Sequence, residues 1–165
     1  MRSAAALSLG AIAINNPKAV EWLFSKQIPD LLIKAKLESR DTAADLCQFM
    51  YSLAFNNEFA KKTLQQNGGI AFLIKTYKEE ASAKFPNTEL FKKCLRALST
   101  MCMHKELAEQ LIKQRLPEQL ISDMKSHHFS DSFSGILEAL TNITRNIETP
   151  KDYGELKSQN VWEVL

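Results

Sequence analysis

The residues with the most obvious chemical potential are three histidines and three cysteines. His127 and His128 are adjacent, with Asp131 three positions on, inside the polar run SHHFSDS. A structural metal site needs about four ligands at defined spacing, so this trio is expected to be a solvated loop. His104 stands apart from them. No HExxH, GxSxG or phosphate-cradling glycine loop is present to supply a metal ligand pair, a nucleophile or an anion cradle. Cys47, Cys94 and Cys102 form no CxxC pair and sit within apolar helical patterns. Such an odd set of cysteines predicts buried, reduced thiols in a cytosolic or nuclear protein. Cys94 and Cys102 would lie about 12 Å apart along a straight helix, too far for a disulfide. With no nucleophile and base to pair, the expectation is a protein that is not an enzyme and holds no metal or cofactor.

The composition points the same way. Of 165 residues, 45% are hydrophobic and 24% charged, the balance of a folded globular chain. A net charge of +2, from 21 basic and 19 acidic groups, offers no electrostatic case for nucleic acid or a membrane surface. Five glycines and five prolines in a chain rich in Ala, Leu, Lys and Glu predict an all-α class. The run Ala4–Ile14 has the length of a signal-peptide core, but Asn15-Asn16-Pro17 follows without a small-residue cleavage site. It is too short to span a bilayer. The expected location is therefore cytoplasmic, with cytoskeletal, ciliary and nuclear settings included.

Those helices must be organised by an internal repeat. LAFNNEFAKKTLQQNGGIAFLIKTY from Leu53 aligns with MCMHKELAEQLIKQRLPEQLISDM from Met101. IAINNPKAVEWLFSKQIPDLLIKAKL from Ile12 gives the same series, and a further copy starts at Ile143. Each copy reads as a short helix, a second helix after a polar break, and a longer third helix. The short helices are KAVEWLFSK, EFAKKTLQQ, ELAEQLIKQ and KDYGELKSQ; the second open at IPDLLIKAKL, IAFLIKTYKEE, LPEQLISDMKS and VWEVL. The third are AAALSLGAIAI, TAADLCQFMYSLAF, TELFKKCLRALSTMCM and SGILEALTNIT, with apolar residues at spacings of three and four. Asn16 and Asn57 are predicted caps, and Pro29, Pro117 and Gly68-Gly69 mark the starts of second helices. Trp22, Phe24 and Phe72 are expected between helices, and Lys61-Lys62 on a solvated helix face.

Complete units then run over 17–56, 57–104 and 105–146, about 40 to 48 residues each. Residues 3–16 form the third helix of a preceding unit and 147–165 the start of another. Residues 78–88 are an inserted, exposed loop ending in Thr88 as a cap. Because the chain opens on a third helix and closes within a second, the expectation is a piece of a longer array, or ends covered by a partner. Trp162, Val164 and Leu165 would otherwise be an apolar edge.

The short first helix, the Ile28-Pro29-Asp30-Leu31-Leu32 opening and the Ala139-Leu140-Thr141-Asn142-Ile143 third helix resemble the armadillo repeat family over nearly the whole chain. Two-helix HEAT repeats are the runner-up. The resemblance implies a right-handed alpha-alpha superhelix, a solenoid of about three complete repeats with partial repeats at both ends, whose third helices line a concave groove. In register with Asn142 stand Thr100, Ser52 and Ala11, and one turn earlier Glu138, Arg96, Gln48 and Leu7. Gln48, Ser52, Lys93, Arg96, Thr100, Asn142 and Arg145 are accordingly the candidate groove residues, with Asp45 and Glu138 moderating a basic centre.

Importin-alpha-like receptors are similar to a ladder in which tryptophan precedes asparagine by four residues. Here Glu138 replaces the tryptophan, and neither Ser52 nor Thr100 supplies the amide, so a protein or peptide segment of acidic or mixed charge is the better match, as for catenin-like armadillo proteins. The implied function is a non-enzymatic protein–protein interaction scaffold; the alternative is a structural spacer in a cytoskeletal or ciliary assembly, with self-stacking or other repeats at its open ends. Asn142-Ile143-Thr144 also fits the glycosylation pattern, but its place inside a helix argues against a sugar.

Overall fold

A computed structural model describes residues 2–34, 39–125, 132–146 and 150–159. Every regular element among them is an α-helix, which bears out the all-α expectation. The chain divides into two compact units, residues 1–98 and 99–165. Unit 1 holds α1 (Arg2–Ala13), α2 (Pro17–Ser25), α3 (Ile28–Lys34), α4 (Arg40–Ala54), α5 (Glu58–Gln66), α6 (Gly69–Ala81) and most of α7 (Thr88–Cys102). Unit 2 holds the last turn of α7, α8 (Lys105–Lys113), α9 (Leu116–Met124), α10 (Phe133–Thr144) and α11 (Pro150–Ser158).

Side-chain caps set several helix starts. The amides of Ala19 and Ala60 donate to Asn16 Oδ1 at 3.2 Å and Asn57 Oδ1 at 3.0 Å, satisfying donors that no carbonyl of the helix can reach. Ser39 does the same for Thr42 ahead of α4. At α7 the cap is Asn87, whose Oδ1 accepts from Leu90 N at 2.9 Å. Thr88, expected to cap it, is instead the first helical residue, because the longer Asn side chain one position earlier already reaches the free amide.

Left-handed residues recur in the helix-linking turns. The turn between short and second helices takes a left-handed residue at Gln27, Gly68 and Arg115, and the turn before a short helix takes one at Asn15 and Asn56. Only one of the five is glycine, so packing holds the others against a conformational cost of about 1 kcal/mol each. The neighbouring Gly69 serves a different need. A Cβ there would stand 2.8 Å from Met50 Cε and 2.9 Å from the Leu64 carbonyl oxygen.

In unit 1, α1 lies along α4, and α5 packs on α4 and α6. Phe49, Leu53, Leu64, Leu73 and Tyr77 are fully buried there, and Tyr77 stacks on Phe91 with ring centroids 5.2 Å apart. In unit 2, α10 packs on α8 and α9, and α11 on α8, around Leu111, Leu120, Ile136, Leu140 and Leu156. Each such side chain contributes roughly 1.5–3 kcal/mol of transfer free energy. Cys47, Cys94 and Cys102 are buried free thiols within these cores, as expected.

Some expectations change. Lys61 is 3% exposed rather than solvated, its ammonium 2.5 Å from Glu58 Oε1. Trp22, expected between helices, lies exposed, whereas Phe24 does pack between helices, meeting Phe59 of α5 edge-on at 5.6 Å. Residues 78–88 also divide: 78–81 continue α6, 82–87 form the connection, and Thr88 opens α7. The reason is Glu80, a buried carboxylate that accepts from Arg40 Nε at 3.0 Å and from the Asn87 amide at 2.7 Å. Arg40 also donates to the Phe85 carbonyl at 2.9 Å, so the connection is pinned while the Phe85 ring is 75% exposed. His127, His128, Asp131, the end of the second helix after Lys34, and the VWEVL segment lie outside the described residues.

Candidate functional site

In unit 1 the candidate residues sit on α4 and α7. Lys93 Nζ lies 3.3 Å from Asp45 Oδ1 and 3.3 Å from Glu89 Oε1. Partial burial pulls its pKa down, but hydrogen bonds and the charges of the two carboxylates outweigh that and hold it above 10.5. Asp45 also accepts from the Ser3 hydroxyl. The Arg96 guanidinium is 4.0 Å from the Tyr51 ring centroid and donates to the Tyr51 hydroxyl at 2.8 Å. Stacking of this kind contributes about 0.5–1 kcal/mol at an exposed position and holds the guanidinium in one orientation. Gln48 is half-buried. Ser52 is buried under α1, its hydroxyl donating to the Gln48 carbonyl at 3.0 Å.

In unit 2 the candidates are Thr100, Asn142 and Arg145. Thr100 is buried on the last turn of α7. There the helix tightens: the Met103 amide donates to Thr100 O at 3.4 Å, and the His104 amide to Met101 O at 3.1 Å. Tightening a helix end redirects amides away from the carbonyls one residue earlier. Asn142 and Asn146, one turn apart on the same face, supply other donors. Asn142 Nδ2 reaches the Ser99 carbonyl at 3.2 Å and its hydroxyl at 2.9 Å. Asn146 Nδ2 reaches the Cys102 carbonyl and the Asn142 carbonyl, both at 2.8 Å. Asn142 is thus 6% exposed, and its amide brackets α10 to the end of α7.

Alongside that bracket runs a cleft of about 430 Å³. Ser134, Leu137, Glu138, Thr141, Asn142 and Arg145 form its wall, one stripe of the α10 surface, and Met103 faces them. Met103 and Leu137 give it apolar surface. Glu138 and Arg145, both exposed, bring opposite charges with no ion pair to another described residue. Arg145 follows the last turn of α10, where the helix dipole favours a cation.

The structure therefore brings Lys93 and Arg96 into paired arrangements in unit 1, and Asn142 and Arg145 into one cleft in unit 2. Tyr51, Ser99 and Asn146 were missed from sequence. Only Asn146 carried a signal, its i+4 spacing from Asn142. Burial pushes the Cys94 thiol well above its ordinary value and the Cys102 thiol up to about 12. Both are therefore protonated, weak nucleophiles at neutral pH. Among the described residues no three His, Cys, Asp or Glu side chains gather as metal ligands. Among the same residues no helix is long and apolar enough to cross a membrane.

No family model matches the chain, and no curated protein matches it. Among solved structures it is similar to the crystal structure of an engineered protein, with a TM-score of 0.80 and 16% identity over 96% of this chain. The chain spans 63% of that protein's length. At this identity the likeness speaks of the fold alone.

Proposed function

We propose that this chain is a non-enzymatic protein–protein interaction scaffold, an armadillo-type right-handed superhelical solenoid whose third helices line a groove for a partner segment. The observation that carries the reading is the α10 cleft, where apolar Met103 and Leu137 lie beside Glu138 and Arg145. Apolar surface with a few placed polar groups is the usual make-up of a recognition site. Charges of both signs favour a segment of acidic or mixed charge. The recurring left-handed turns at Gln27, Gly68 and Arg115 support the repeat reading. The cysteine pattern favours a cytoplasmic setting, with cytoskeletal, ciliary or nuclear assemblies included.

Capture from cell extract with the chain as bait, repeated with an Arg96→Glu/Arg145→Glu variant, tests the proposal. The expected outcome is that specific partners bind the wild type and are depleted by the variant, while its helical circular dichroism is unchanged. Equal recovery with both baits would reject the groove assignment. A second reading, a structural spacer stacked within a larger assembly, is favoured by the exposed Ile12, Trp22 and Leu31.

A further inference from the structure

The chain has nine asparagines, and Asn67 alone precedes a glycine. That dipeptide has a chemistry of its own. The backbone nitrogen that follows an asparagine can attack the side-chain carbonyl carbon and close a five-membered imide. A side chain on the following residue crowds the attack, and glycine has none.

The surroundings of Gly68 leave this route open. A Cβ built there would meet nothing within 4 Å, and Asn67 is half-buried, so the pair is open to water. Nor does the backbone require glycine. The turns that join α2 to α3 and α8 to α9 place Gln27 and Arg115 in the same left-handed conformation. Lys26 and Gln114 precede them, and neither can close that ring.

The folded turn holds the reaction back. Closure needs the Gly68 nitrogen alongside the Cα–Cβ bond of Asn67. At the observed Asn67 ψ of 12° it is turned away, and the Gly68 amide donates to the Gln65 carbonyl at 3.3 Å. The leaving nitrogen is engaged as well. Asn67 Nδ2 donates to Asp30 Oδ1 at 2.6 Å, which ties the end of α5 to α3. Both hydrogen bonds must open before the ring closes, and surface turns open locally far more often than a whole chain unfolds.

We propose that Asn67-Gly68 is a self-modification site, where intramolecular deamidation acts as a one-way switch on the tie between α3 and α5. The Gly68 nitrogen gives its proton to solvent base and bonds to Asn67 Cγ. The Cγ–Nδ2 bond breaks, and Nδ2 leaves as ammonia with a proton from water. Water then opens the imide at either carbonyl. Opening at Cγ restores the ordinary main chain with aspartate at position 67. Opening at the backbone carbonyl leaves isoaspartate, with the main chain running through Cβ and Cγ. Water enters, ammonia departs, and nothing is oxidised or reduced. Either product exchanges the amide donor for a negative charge beside Asp30. Carboxylates that close repel each other, so the tie is lost. The inference does not rest on the partner groove.

Peptide mapping by mass spectrometry tests the chemistry on the folded full chain, incubated at mildly alkaline pH. The tryptic peptide 63–75 should become a mixture richer in isoaspartate than in aspartate. Gly68→Gln keeps Asn67 and Asp30 and copies the residue of the α2–α3 turn, so it should leave that peptide unconverted over the same time. Circular dichroism verifies its folding, and Gly68→Ala replaces it should it misfold. The consequence is read by urea unfolding at neutral pH. Asn67→Asp should lower the midpoint, and adding Asp30→Asn, which exchanges donor and acceptor, should restore it. A folded wild type that stays unconverted while a synthetic 63–75 peptide converts fully would overturn the proposal. So would conversion of Gly68→Gln at the wild-type rate, or aspartate formed without isoaspartate. An unshifted midpoint for Asn67→Asp, or one that Asp30→Asn fails to restore, would overturn the switch.

Discussion

On the α4 and α7 side of unit 1 the polar groups are matched to one another: Lys93 with Asp45 and Glu89, Arg96 with Tyr51. Along α10 in unit 2 they divide between two tasks. Asn142 and Asn146 face α7 and satisfy its carbonyls, while Glu138 and Arg145 face the cleft with no ion pair to another described residue. The same type of helix face therefore has its polar groups engaged with one another in one unit, and in the other is split between a structural edge and charges with no ion pair to another described residue. A residue's place on its helix does not fix its role; what the neighbouring helix leaves unsatisfied does.

Substituting the bracket should have the largest effect. Asn142→Ala leaves the Ser99 carbonyl and hydroxyl buried without their amide donor, and should cost about 2–3 kcal/mol in urea unfolding. Ser52→Ala, at the matching position in unit 1, loses only a bond to the carbonyl one turn back, and should cost under about 1 kcal/mol. Equal losses at the two positions would erase the distinction drawn between the faces.

A smaller effect, readable through pH, belongs to Lys93. Its folded pKa is raised, so its contribution is fully present below the unfolded value of 10.5 and is lost as pH rises through the folded value. Lys93→Met should therefore be less stable than wild type at pH 8, with the gap closing above pH 10.5. A gap that does not change with pH would assign the loss to packing.

The smallest effect on stability should come from the cleft charges. Glu138→Lys and Arg145→Glu should each leave the unfolding free energy within about 0.5 kcal/mol, because exposed charges away from partners contribute little to folding. A loss above about 1 kcal/mol at either position would show that the cleft charges are structural, as those of unit 1 are.

Much of the fold was legible because its signals are local. Apolar spacing of three and four located α4, α7 and α10, and Asn-Pro and Asn-Glu located the starts of α2 and α5. The features that were not legible depend on distant neighbours. Asn142 and Ser99 are 43 residues apart, and no local pattern announces that an amide on one helix will meet the tightened end of another. Gln27 and Arg115 take left-handed backbone without glycine, so composition conceals those turns. Lys61 looks solvated in sequence because EFAKK is polar, yet Glu58 one turn away pairs with its ammonium and permits burial. For the site, their spacing brought Asn142 and Arg145 to one cleft, but it could not tell the amide bonded to α7 from the guanidinium that has no ion pair to another described residue.

Photo-crosslinking from the cleft tests the central claim most directly. A benzophenone side chain at position 103, which lines the cleft and is exposed, is compared with one at position 62 on the exposed side of α5. If the cleft receives a protein segment, adducts from position 103 will concentrate on one stretch of one partner and will fall when Arg145→Glu is added. If adducts from the two positions are the same in identity and yield, or if Arg145→Glu leaves those from position 103 unchanged, the cleft is not the binding site.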